Sequence, residues 1–208
     1  MILDAPRLQA AVVRINAAMP DIAVELNQAD AGLGDGDAGN MLARLMDGLA
    51  RSEAAGQDLP GLLATYARAA MASTGSSLGT LVATALSASS RTASGKSEVA
   101  GPADIAALLV AARDAMLKRG GSSLGDKTVI DAIDAVATAL ASANGTQSGT
   151  AVAAAAAAGA LAEFRGRPCR IGRARMFGDK SIGLDDPGML AVARLTAVLA
   201  SEPDENSN

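Results

Sequence analysis

Residues 29–40 read ADAGLGDGDAGN, three aspartates and four glycines in twelve positions. Asp30, Asp35 and Asp37 must repel one another unless positive charge sits among them. A hard cation meets that need, because Mg²⁺ and Ca²⁺ take carboxylate oxygens, and the glycines let the backbone wrap closely around an ion. The same spacing also suits a solvated, turn-rich loop. Two calcium patterns fail: an EF-hand begun at Asp35 needs a glutamate where Met46 stands, and a glycine-aspartate β-roll needs its nonapeptide repeated, whereas this stretch occurs once. Magnesium bound together with phosphate is the better chemical match, since Mg²⁺ favours one or two carboxylates plus phosphate oxygens.

Three further stretches carry polar chemistry. STGSSLGT, Ser73 to Thr80, opens a helix; Gly75 and Gly79 permit close approach, Ser76 and Ser77 offer hydroxyls, and free N–H groups of a first helical turn attract anions. Helix capping would use the same residues. GGSSLGDKT, residues 120–128, comes near the P-loop pattern, but Asp126 stands between Gly125 and Lys127 and the preceding residues read as helix rather than strand, so a P-loop is rejected. Lys127 and Thr128 are expected to fix the start of a helix, with Asp126 as its cap. In GRARMFGDKSIGLDDPG, residues 172–188, Arg173, Arg175 and Lys180 supply positive charge, Arg173 can pair with a phosphate, and Asp186-Pro187-Gly188 forms a rigid turn into the last helix.

The elements between these stretches are helical. Apolar residues recur at three- and four-residue spacing over roughly 5–27, 39–54, 58–72, 75–90, 102–119, 127–143, 147–164 and 187–200, and no run alternates with period two for long enough to predict a strand. The expected fold is all-α, an eight-helix antiparallel up-and-down bundle or barrel over residues 1–200, with a frayed tail at 201–208. In that order the loops before the second, fourth, sixth and eighth helices share one end, and these are the four polar stretches. Only Tyr66, Phe164 and Phe177 are aromatic, so the core is expected to be Ala, Leu, Val, Ile and Met.

Charge and composition exclude several classes. A net charge of −4 and few aromatics argue against nucleic acid. The absence of histidine removes the commonest general base and transition-metal ligand, and the single Cys169 excludes an internal disulfide and a cysteine-rich zinc site. No stretch is apolar for long enough to span a bilayer and the start lacks signal-peptide character, so a cytoplasmic location is expected.

Taken in order, DAGLGDGDAG, TGSSLG, GDKTVIDA and GRARMFGDKSIGLDDPG resemble the nucleotide-binding subunit of dihydroxyacetone kinases, the DhaL-type domain, over nearly the whole chain. The resemblance implies an eight-helix barrel with ADP or ATP at one end, its phosphates bound through two Mg²⁺ ions held by Asp30, Asp35 and Asp37. It implies nucleotide contacts at Ala38, Gly39, Asn40 and Met41, at Ser76 and Ser77, at Gly120 and Val129, at Arg173, and at Asp186, Pro187 and Gly188. Three positions depart from the family pattern. Ala38 replaces a frequent His or Cys, leaving the diphosphate to backbone N–H groups; Val129 replaces a frequent Met; and Lys180 replaces an Arg. The implied activity is phosphoryl transfer to a short ketose held through a histidine of a separate substrate-binding subunit, with no catalytic residue on this chain. The family also includes subunits whose retained ADP is recharged by a phosphocarrier protein. A helical module that merely retains nucleotide is the non-enzymatic alternative, and a homodimer is compatible with either.

Overall fold

The computed structural model describes residues 2–73, 75, 77–144 and 147–201. Residues 202–208, most of the expected tail, lie outside that set. The chain runs β1 (Ile2–Asp4), α1 (Ala5–Ala31), α2 (Ala38–Ala50), α3 (Leu59–Ser73), α4 (Ser77–Thr92), β2 (Glu98–Ala100), α5 (Gly101–Gly120), α6 (Val129–Ala141), α7 (Gly149–Arg165), a 3₁₀ segment (Arg173–Ser181) kinked at Gly178, and α8 (Pro187–Ala200). Each expected helical segment is present. The all-α class holds, with one small addition.

That addition is the antiparallel pair of β1 and β2, in the register Ile2↔Ala100, Leu3↔Val99 and Asp4↔Glu98. Three residues are too few to display an alternation in sequence. What secures the pair is tertiary: Val99 is buried against Leu59, Leu63, Ala93 and Leu108. Asp4 then ends the strand and caps α1, its carboxylate accepting from Arg7 N at 2.8 Å.

Helices adjacent in sequence pack on one another, and α8 returns against α1, which closes the ring. The stripe Val12, Ile15, Met19, Ile22, Ala23 and Leu26 of α1 meets Met41, Leu42, Leu45 and Met46 of α2 and Met189, Leu190 and Ala193 of α8 in one core. Tyr66 is the aromatic residue placed fully inside it, at 1% exposure. Alanine recurs at the contacts, among them Ala70, Ala132 and Ala157, and its small volume lets helix axes approach. Backbone meets backbone at Gly39: a Cβ there would lie 2.1 Å from the backbone oxygen of Ala23, so only glycine lets the first turn of α2 cross α1.

Helix boundaries shift by up to four residues from expectation, α2 among them ending at Ala50 rather than 54, and two shifts at the polar end bear on the site. Helix α1 runs on to Ala31 rather than stopping near residue 27, because the chain keeps winding: Leu33 N and Gly34 N both donate to Asp30 O, at 2.9 and 2.6 Å. Asp30 therefore sits on a helix, not in a loop. Helix α6 starts at Val129 rather than 127, since Lys127 has φ of +64°, a left-handed conformation incompatible with a helical turn.

Candidate functional site

Asp30, on the last turn of α1, and Asp35 and Asp37, in the turn that follows, each present a carboxylate oxygen within 4.8 Å of the others. The turn is built around Asp30. Its Oδ2 accepts from Asp37 N at 2.9 Å and Ala38 N at 3.2 Å, and a side chain at Gly34 would put Cβ 2.4 Å from its Oδ1. Glycine at 34 thus keeps the carboxylate clear. Asp35 and Asp37 remain exposed.

One cation already answers part of the repulsion. Arg173, at the start of the 3₁₀ segment, pairs with Asp35 across 138 residues of sequence. The Arg173 guanidinium holds the Asp35 carboxyl below its ordinary pKa, and the pairing raises that of Arg173 in turn. Three carboxylates against one exposed arginine leave a net negative cluster of hard oxygens. That donor set fits a hard divalent cation, with Asp30, Asp35 and Asp37 as the side chains to hold it.

The segment bearing Arg173 is pinned at both ends. Lys127, only 2% exposed, donates from Nζ to Arg167 O at 2.8 Å and to Ser181 O at 2.9 Å, tying the entry and exit of the loop to the start of α6. Ser181 Oγ accepts from Cys169 N at 2.8 Å and donates to Gly178 O at 2.5 Å. Arg165 meets Asp185 in a two-pronged ion pair at 2.8 and 2.5 Å. All three candidate cations are exposed, and Arg173 is the one that an ion pair joins to the aspartates among the described residues.

The cap of α6 corrects an expectation. Thr128, not Asp126, is the cap, and it forms a capping box with Asp131, whose Oδ2 accepts from Thr128 N at 2.7 Å while its Oδ1 accepts from Gly125 N at 2.6 Å. The Thr-x-x-Asp spacing already carries that signal. Asp126 turns back into its own loop and accepts from Ser123 N at 2.8 Å.

The remaining residues implied by the resemblance fall into groups. Asp186 caps α8, its Oδ1 accepting from Met189 N at 2.9 Å, and burial pushes its carboxyl up to about 6 against hydrogen bonds from Met189 and Gly188 that pull it down. Gly188 abuts Val129, so the starts of α6 and α8 meet; a Cβ at Gly188 would lie 2.9 Å from that of Val129. Pro187 opens α8 and Gly120 ends α5 against Leu81 of α4. Ser77 opens α4 and is exposed, and Ser76 lies outside the described residues. Met41 is 4% exposed with its side chain in the core, and its N–H donates to Asp37 O at 2.9 Å, so the fold does not open it to the site.

One residue escaped the sequence reasoning. Asn27, one turn before Asp30 on α1, accepts through Oδ1 from Gly39 N at 2.8 Å and Asn40 N at 3.2 Å, and donates through Nδ2 to Asn40 Oδ1 at 3.1 Å. With Asp30 on Ala38 N and Asn27 on Gly39 and Asn40, the first-turn amides of α2 are already engaged within the protein. The signal available in sequence was the three-residue spacing of Asn27 and Asp30, which places both on one helix face.

Residues 32–201 match the model of the DAK2 domain. The structure is similar to that of the dihydroxyacetone kinase of C. freundii in its native form, with a TM-score of 0.72 at 24% identity over 94% of this chain and 34% of that one. It is equally similar to the same kinase in complex with AMP-PNP and Mg²⁺, with a TM-score of 0.72 at 24% identity over 92% of this chain and 33% of that one. An L-erythrulose 1-kinase from Mycolicibacterium smegmatis is 36% identical over 90 residues, 41% of this chain and 15% of that protein. The chain thus spans about a third of the length of the kinases it matches in structure. Among the described residues no helix is long and apolar enough to cross a membrane.

Proposed function

We propose, from the premise that this chain belongs to the DAK2 domain family, that it is the nucleotide-binding unit of a kinase acting on a short ketose such as dihydroxyacetone or erythrulose. The observation that carries the reading is the gathering of Asp30, Asp35 and Asp37 within 4.8 Å, with Arg173 folded onto them from the other end of the sequence. A C. freundii relative of the same fold was crystallised with AMP-PNP and Mg²⁺, which supports the same ligand class here.

In this reading Asp30, Asp35 and Asp37 hold magnesium, two ions by the family resemblance, and the metal supplies neutralisation of phosphate charge. Arg173 leaves Asp35 for a phosphate oxygen, where its planar fork matches the ligand. Asn40 contributes its side chain, since the amides around it are taken; Ser76 and Ser77 lie on the loop opening α4. The meeting point of Val129, Asp186, Pro187 and Gly188, with Gly120, forms the wall for the rest of the nucleotide. Positioning and charge neutralisation then supply the rate, as is general for phosphoryl transfer. The family resemblance implies a ketose held covalently through a histidine, and this chain contains none, so in this reading the ketose is held by a separate substrate-binding unit docked over this end.

Native mass spectrometry with and without EDTA tests the reading. An ADP or ATP adduct with magnesium, lost on chelation and in Asp35→Ala, is expected. A chain that stays bare in Mg·ATP overturns it. Exchange of bound labelled ADP against free ATP separates a conventional kinase from a phosphocarrier-dependent one.

A further inference from the structure

Asp37 occupies the N-cap position of α2, where an aspartate ordinarily accepts from the N–H of the second or third helical residue, here Gly39 and Asn40. It makes no such bond. Its backbone, at φ −115° and ψ 1°, lies outside the extended region that cap residues usually adopt. The two amides it would take are those held by Asn27 Oδ1.

We propose that Asn27 is a positioning residue of the metal site: by capping α2 from α1, it keeps the Asp37 carboxylate off its own helix and free to bind the cation. This rests on the metal-nucleotide reading above. Two N–H donors converge on one atom of the Asn27 carboxamide, so that atom must be the oxygen, and the amide nitrogen is thereby aimed at Asn40 Oδ1. A neutral carboxamide suits the place. An aspartate would accept from the same amides but would add a fourth negative charge beside three and lose the donor to Asn40. Asn27 and Asp30, one turn apart, share the amides between them. Asp30 Oδ2 takes Asp37 N and Ala38 N, leaving its Oδ1 over Gly34, and Asn27 takes the next two. Every first-turn donor of α2 is thus satisfied without the Asp37 carboxylate.

The test uses the full chain with Mn²⁺ as probe, titrated by electron paramagnetic resonance, and amide hydrogen exchange at Gly39 and Asn40. In Asn27→Ala, Mn²⁺ binding is expected to weaken about 10- to 100-fold, the usual range for loss of a group that orients a metal ligand. The two amides are expected to stay protected in that variant, because Asp37 swings onto them, and to lose protection in Asn27→Ala/Asp37→Ala. Asn27→Asp, which keeps an acceptor for the amides, is expected to restore most of the affinity. Parent-like Mn²⁺ binding in Asn27→Ala overturns the proposal, as does loss of amide protection in that single variant, or equal weakening in folded Asn27→Asp. If the parent itself binds no Mn²⁺, the metal reading fails, while the exchange pattern still decides whether Asn27 holds Asp37 off its helix.

Discussion

Replacing Lys127 by methionine isolates the bond that pins the Arg173 segment. Methionine has nearly the same length but no donor, so Arg167 O and Ser181 O, met at 2.8 and 2.9 Å, lose their partner. Hydrogen bonds to a charged group contribute about 1.5–3 kcal/mol each. Two of them, less the relief of no longer burying an ammonium group, give a net loss of about 3 kcal/mol. For a chain of this size each kcal/mol moves Tm by about 2–4 °C, so a fall of about 6–12 °C is expected by circular dichroism. Because both bonds close the base of the loop, trypsin should cut at Arg170, Arg173 and Arg175 well below that Tm, faster than in the parent. A Tm within about 2 °C of the parent, or unchanged cleavage, would refute the clamp and make Lys127 an incidental buried cation.

Gly39→Ala puts a Cβ 2.1 Å from Ala23 O and 2.7 Å from Ala23 C. Both are backbone atoms that cannot turn aside, so a loss of at least about 1–3 kcal/mol in urea unfolding is expected, together with weaker metal binding. Asp186 gives the pH dependence. Its folded pKa of about 6 lies above the ordinary 3.8, so the folded state binds its proton more tightly than the unfolded chain does. Its contribution is therefore favourable below about pH 4 and is lost as pH rises through about 6; Asp186→Asn, which can still cap α8, should raise stability at pH 7 by about 1–3 kcal/mol and flatten the profile between those values. A slope that survives the substitution would assign the titration elsewhere. Arg173→Met should strengthen Mn²⁺ binding without nucleotide, by removing the cation that competes for Asp35, and weaken nucleotide binding; isothermal titration at two salt concentrations reads both signs.

The helices were legible because their signals are local. The stripe from Val12 to Leu26 shows its period within one segment, and Pro6 marks a helix start. The aspartate cluster was legible for the same reason, Asp30, Asp35 and Asp37 being close in sequence whatever the fold. The β1–β2 pair was not, because three-residue strands separated by more than ninety residues show no pattern until Val99 is buried. The role of Asp126 was misread because a residue directly before the expected helix start at 127 looks like a cap until the left-handed turn at Lys127 redirects the chain.

What the sequence by itself determined, then, is the set of elements and the chemical character of each loop: period, composition and spacing are short-range properties. What only the tertiary structure decided is which loop groups face one another. Arg173 rather than Arg175 or Lys180 reaches Asp35, Lys127 finds Arg167 and Ser181, and Asn27 frees Asp37 by taking the amides of Gly39 and Asn40. Each of those contacts joins residues brought together by helices packing into a ring that α8 closes on α1. Directional bonds of about 3 Å demand a placement that no one-dimensional pattern encodes, and the packed core supplies it.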